Sequence, residues 1–216
     1  MILPILERAK INYGLPTFTL DVNQIALKNP LTWLPQMSKL THLEWNYFQL
    51  SKIELCVTPE TTYEILKDRP TANYGSAVYN RFQKSQLFKS RPVGTTLTLS
   101  AQESNTLWMG IRNILWPTVN DVHLLPNQRS DVTQVFFHTV TSGSLASSAF
   151  ITIDKNFHNH ASELKSELGI SIFTPNDAWE EFQPKFGLCA PNEQEIKTLF
   201  NDQQKLLETL RMSASS

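Results

Sequence analysis

Short apolar runs alternate with longer stretches of helical period along this chain of 216 residues, and that alternation most limits what it can fold into. Strand-like and helix-like segments that take turns favour helices layered on a mainly parallel sheet, since parallel strands need long crossovers between them. One apolar run, residues 16–20, ends on Asp21, and another, residues 149–153, ends on Asp154. Both carboxylates are therefore expected at the carboxyl ends of strands, the edge where open α/β sheets place their ligands. The expected fold class is α/β, a three-layer α/β/α sandwich with a mainly parallel central sheet and a C-terminal helix.

The elements follow from period and punctuation. A short helix is expected over residues 3–11, then the strand ending at Asp21. Leu40, Leu43, Trp45, Phe48 and Leu50 give helical spacing across 38–51, and residues 53–57 read as a strand. Thr58 suits a helix N-cap with Pro59 at the first helical position. Residues 96–99 read as a short edge strand. Ser100 and Glu103 have capping-box spacing ahead of the stripe Leu107, Ile111, Ile114 and Leu115, and Trp116-Pro117 stops that helix. Another helix is expected to begin near Asp131, with Val132, Val135, Phe136 and Val140 inward. A helix over 158–168, a strand over 170–173 and a helix opened by Thr174-Pro175 complete the alternation. Residues 192–212 carry Ile196, Leu199, Phe200, Leu206, Leu207 and Leu210 on one helical face, a surface for packing or for a homodimer. The expected organisation is one domain over 1–183, with an insertion near 68–95, and a helical appendage over 184–216.

Composition narrows the classes. A hydrophobic content of 41% supports a buried core, and a net charge of −1 argues against coating nucleic acid by bulk positive charge. The two cysteines, Cys56 and Cys189, lack the spacing of a zinc site or disulfide framework, and Cys56 reads as a small buried apolar residue. No run is long enough to span a membrane, and the opening Met1-Ile-Leu-Pro-Ile-Leu-Glu-Arg makes a poor signal peptide, so a cytoplasmic protein with no membrane partner is expected.

Four acids, Asp21, Glu64, Asp131 and Asp154, fall at strand ends or on inward helix faces. Convergent carboxylates suit a hydrated Mg²⁺ or Mn²⁺, since these ions prefer oxygen ligands, whereas carboxylates gathered without a cation repel one another. Each also has a plainer role: Asp21 and Asp154 as strand terminators, Asp131 as a helix first-turn acid, and Glu64 on a solvated face. Lys67, Arg69, Arg81, Lys84, Lys89 and Arg91 are interleaved with Tyr74, Tyr79, Phe82 and Phe88. Such a segment could meet phosphates and stack on unpaired bases, or pack its aromatics inward as an amphipathic helix. His158 and His160 are read as capping or solvent-facing residues and not as ligands.

The order of these motifs resembles the PIN domain, a family of metal-dependent nucleases that includes bacterial toxin ribonucleases. Thr19-Leu-Asp-Val-Asn23 is similar to its opening strand. Lys52-Ile-Glu-Leu-Cys-Val-Thr-Pro-Glu-Thr-Thr-Tyr-Glu64 resembles its second strand and Pro-initiated helix with an inward Glu. Ser130-Asp131 with Phe150-Ile-Thr-Ile-Asp-Lys-Asn-Phe157 resembles its later helix and strand end, and Leu168-Gly-Ile-Ser-Ile-Phe-Thr-Pro175 its last strand. The match spans residues 16–183. Two departures stand out: a long stretch separates Glu64 from Asp131, and Asn156 occupies a position often acidic in the family.

The resemblance implies an endoribonuclease that hydrolyses RNA phosphodiester bonds with Mg²⁺ or Mn²⁺. Its catalytic acids would be Asp21, Glu64, Asp131 and Asp154, with Asp21, Asp131 and Asp154 on the metal. Asn23, Thr152 and Asn156 would support them, and Lys67, Arg69, Arg81, Lys84 and Arg91 would face the substrate. A protein inhibitor of the antitoxin kind is a partner the resemblance brings with it. The alternatives are a catalytically weak module that binds RNA or protein, and a structure-specific DNA nuclease.

Overall fold

The computed structural model describes residues 15–25, 39–67, 77–90, 98–143 and 147–214. The apolar runs form four parallel strands: β1 (Thr17–Leu20), β2 (Glu54–Cys56), β3 (Ser148–Ile151) and β4 (Ile172–Phe173). The helices between them are α1 (Lys39–Phe48), α2 (Pro59–Lys67), α3 (Ala77–Ser85), α4 (Ala101–Leu115), α5 (Pro126–His138), α6 (Lys155–Asn159), α7 (Ala161–Leu168), α8 (Pro175–Phe186) and α9 (Glu193–Ala214). A π-turn over Thr139–Gly143 continues α5.

Strand side chains alternate faces, and each face has its own core. Phe18 pairs with Leu55 and Ala149, and Leu20 with Ile151. These residues pack with Leu40 and Leu43 of α1 and Ala178, Trp179 and Phe182 of α8. Phe18 meets Phe182 edge to face at 4.9 Å. On the opposite face, Phe150 and Ile172 pair and pack with Leu107 and Ile111 of α4, Val132 and Val135 of α5, and Leu164 and Leu168 of α7. Two apolar clusters on opposite sides of one sheet make the three layers of an α/β/α arrangement.

The strand order is β2-β1-β3-β4. Lys89 adds a single parallel bridge to Cys56 on the outer edge of β2. The chain thus leaves β1 toward β2 by way of α1, and leaves β3 toward β4 by way of α6 and α7. Because crossovers between parallel strands are right-handed, reversing the direction of growth moves the crossover helices to the other face, as the two cores record. The reversal leaves a crevice outside the carboxyl ends of β1 and β3, the place where such sheets bind ligands.

Local signals account for most helix starts. The Thr58 hydroxyl accepts from the Thr61 N–H at 3.0 Å. Ser100 and Glu103 form a reciprocal capping box, as do Thr174 and Asp177. Ser100→Ala is expected to cost about 1 kcal/mol, read as a lower urea midpoint at unchanged slope.

Several boundaries differ from expectation: β3 covers Ser148–Ile151 and so ends before Asp154, and β4 covers only Ile172–Phe173. α5 starts at Pro126, ahead of Asp131, because a proline at the first helical position needs no N–H partner and Gln128 reaches back to the Leu125 N–H at 2.9 Å. The helix expected over 158–168 is two helices parted at His160, the first capped by Asp154. The expected helix over 3–11 lies outside the described residues, as do Thr96 and Leu97 of the expected edge strand; Thr98 and Leu99 are irregular.

The C-terminal helix α9 packs on α1 and α3. Ile196, Leu199 and Leu207 are buried there, and Arg211 donates to Gln83 at 2.8 Å and Asn80 at 2.6 Å. No helix among the described residues is long and apolar enough to cross a membrane.

Candidate functional site

The crevice between β1 and β3 is where the acids meet. Asp21 follows the last residue of β1, and its N–H continues the ladder by donating to the Ile151 carbonyl at 3.0 Å. That bond fixes the Asp21 backbone against β3 and leaves the side chain only 4% exposed. Its Oδ1 accepts from the Val22 N–H at 2.6 Å, and its Oδ2 from the Thr152 hydroxyl and the Asn23 amide, each at 2.6 Å. Gln24 in turn donates to the Asn23 side-chain oxygen.

Thr152 ties the two strand ends together. While its hydroxyl donates to Asp21, its oxygen accepts from the Asp154 N–H at 3.0 Å and from Asn23 at 3.2 Å. Asp154 is exposed and caps α6, its Oδ1 accepting from the Asn156 N–H at 2.7 Å. Asn156 therefore reaches Asp154 through its backbone, and its amide nitrogen is buried without a partner. His158 bonds the Thr152 carbonyl at 3.0 Å, which orients that strand end.

Glu64 approaches from α2. Its Oε2 accepts from the Ser130 hydroxyl at 3.1 Å and the Gln134 amide at 2.7 Å, both on α5. Burial pushes the Asp21 carboxyl up from 3.8 to about 6, and the charges of Glu64 and Asp154 push the same way; the bonds from Thr152 and Val22 oppose them. Asp131 is half-buried on α5, next to Ser130. Ser130 and Gln134, one turn apart on α5, share the stripe that faces α2 and holds Glu64.

The structure thus draws Asp21, Glu64 and Asp154 into mutual influence, with Asn23 and Thr152 on Asp21. Among the described residues, no three His, Cys, Asp or Glu side chains are grouped closely enough to hold a metal ion between them.

The basic segment reads differently in three dimensions. Lys84, expected to face substrate, is 3% exposed and pairs with buried Glu44 at 3.3 Å. The pairing follows from burial: an ammonium enclosed by α3, α1 and α9 needs a counter-charge. Tyr79 and Phe88 are buried as well, so these aromatics pack inward and do not stack on bases. Arg81 is exposed, and Lys89 pairs with Glu54 at 2.5 Å. The Lys67 side chain, Arg69, Tyr74 and Arg91 lie outside the described residues.

Sequence reasoning missed Ser130 and Gln134 as the grip on Glu64. Their spacing of four was the available signal, hidden once the helix was expected to begin near Asp131.

No family model, curated protein or solved structure matches the chain.

Proposed function

We propose that the protein is a metal-dependent ribonuclease of PIN-like fold that hydrolyses RNA phosphodiester bonds at the crevice between β1 and β3. The observation that carries this reading is the state of Asp21: buried at the sheet's switch point, its carboxyl raised to about 6, and pressed by the charges of Glu64 and Asp154. Negative charge gathered in this way is ordinarily balanced by a divalent cation.

The donor set suits a hydrated ion. Mg²⁺ keeps several waters and needs only one or two carboxylates together with phosphate oxygens. Asp21 would bind it directly, and Glu64 and Asp154 through water, an arrangement compatible with carboxylates that do not close on one point. Bound there with RNA, the ion would polarise the phosphoryl group and make an attacking water more acidic. The chain's own residues do the positioning: Thr152 and Asn23 orient the Asp21 carboxylate, the ladder bond to Ile151 fixes its backbone, and Ser130 and Gln134 hold Glu64.

Mn²⁺ titration by calorimetry and digestion of labelled RNA test the reading. The wild-type chain should bind Mn²⁺ and cut RNA only when metal is added, and Asp154→Asn should weaken binding roughly 10-fold or more. Metal-independent RNA binding without cleavage would sink the proposal. That outcome belongs to a second reading, a PIN-like module that binds and does not cut, and one observation favours it: Asp21, Glu64 and Asp154 all already accept hydrogen bonds from protein donors.

A further inference from the structure

A chain of buried side chains runs from the start of α2 to Glu64, and its hydrogen bonds have one direction. The Thr61 hydroxyl donates to Gln134 Oε1 at 3.2 Å. Having spent its proton there, Thr61 accepts at its oxygen from the Thr58 hydroxyl at 2.9 Å. With its oxygen occupied by Thr61, Gln134 can only turn its amide nitrogen to Glu64, at 2.7 Å. Thr58, Thr61 and Gln134 are 4%, 0% and 1% exposed, so water does not compete for these bonds.

We infer that Gln134, oriented by Thr61, is a positioning residue that holds the Glu64 carboxylate toward Asp21. This inference rests on the metal-site reading for its consequence in function, but the hold on Glu64 exists without metal. A glutamine free to flip would present its oxygen to the carboxylate and repel it; the Thr61 hydroxyl removes that option. Ser130, buried one turn earlier on α5, supplies the second donor. The hold on Glu64 thereby comes from neutral donors, which bring no charge to compete with a cation.

The test uses the full chain in two conditions. Without metal, the side-chain amide protons of Gln134 are followed by nitrogen-15 NMR; with metal, Mn²⁺ affinity is measured by calorimetry. Gln134→Met should weaken Mn²⁺ binding about 10-fold or more, the range typical of residues that orient metal ligands. Thr61→Val keeps the volume and loses the hydroxyl; it should release the Gln134 amide to exchange and weaken Mn²⁺ binding. Thr61→Ser loses a methyl group and keeps the hydroxyl; it should retain both the amide signal and the affinity. A packing role for Thr61 predicts the reverse order, with Val harmless and Ser harmful, and that order would overturn the inference, as would wild-type affinity in a folded Gln134→Met. If the wild-type chain binds no Mn²⁺ but its Gln134 amide is slow to exchange and freed by Thr61→Val, the metal reading falls and the hold on Glu64 stands. A Gln134 amide that exchanges freely in the wild-type chain removes the hold itself.

Discussion

Asp21→Asn is expected to stabilise the metal-free protein by about 2 kcal/mol at pH 8 while abolishing Mn²⁺-dependent cleavage of RNA. The gain comes from the raised pKa. A carboxyl moved from 3.8 to about 6 in the folded state favours folding while protonated, so its contribution is fully present below the unfolded value. It is lost as pH rises through about 6. The full swing is about 3 kcal/mol. Asparagine removes that penalty but turns a nitrogen toward one of the donors Val22, Asn23 or Thr152, and the mismatch returns about 1 kcal/mol. Urea unfolding between pH 4 and pH 8 checks this. The advantage of Asp21→Asn over wild type should be absent at pH 4 and grow as pH rises through about 6; comparing the two proteins cancels the opposite trend both share from His42 and His138, whose burial lowers their pKa values to about 4 and about 3. An advantage that does not change with pH would contradict the burial of Asp21. Added Mn²⁺ should restore wild-type stability at pH 8 and leave Asp21→Asn unchanged, because a ligand that binds only the folded chain stabilises it by mass action.

The second large effect belongs to the buried pair of Lys84 and Glu44. Lys84→Met is expected to cost about 3 to 5 kcal/mol, since it leaves the Glu44 carboxylate enclosed without its cation. Glu44 is 1% exposed, and it also accepts from the Gln203 amide of α9 at 3.2 Å. The double variant Glu44→Gln with Lys84→Met should recover much of the loss, because the pair's attraction largely repays its own desolvation. Chemical denaturation of both single variants and the double one gives the coupling. A Lys84→Met protein as stable as wild type, with weakened RNA binding, would return Lys84 to the substrate surface.

These two residues show where sequence was informative. Asp21 was legible because a carboxylate closing an apolar strand run has few places to go in a parallel sheet; Asp154 was not, since its strand stops at Ile151 and it caps α6 instead. The caps at Thr58, Ser100 and Thr174 were legible because they depend on neighbours three residues away. Lys84 was not, since a lysine among aromatics reads alike whether its ammonium faces phosphate or a glutamate from a helix forty residues earlier in the chain. The start of α5 was not legible, because Pro126 opens the helix five residues ahead of Asp131.

By itself, the sequence determined the alternation of strands and helices, most of the caps, and one acid, Asp21, at a strand end, all of which rest on local period and short-range hydrogen bonds. Only the tertiary structure decided which acids share a site. The order β2-β1-β3-β4 brings Asp21 beside Thr152 across 131 residues of chain, and the packing of α2 on α5 sets Glu64 against Ser130 and Gln134. Strand order and helix rotation arise from burying two faces of one sheet at once, a condition that no local stretch of residues contains.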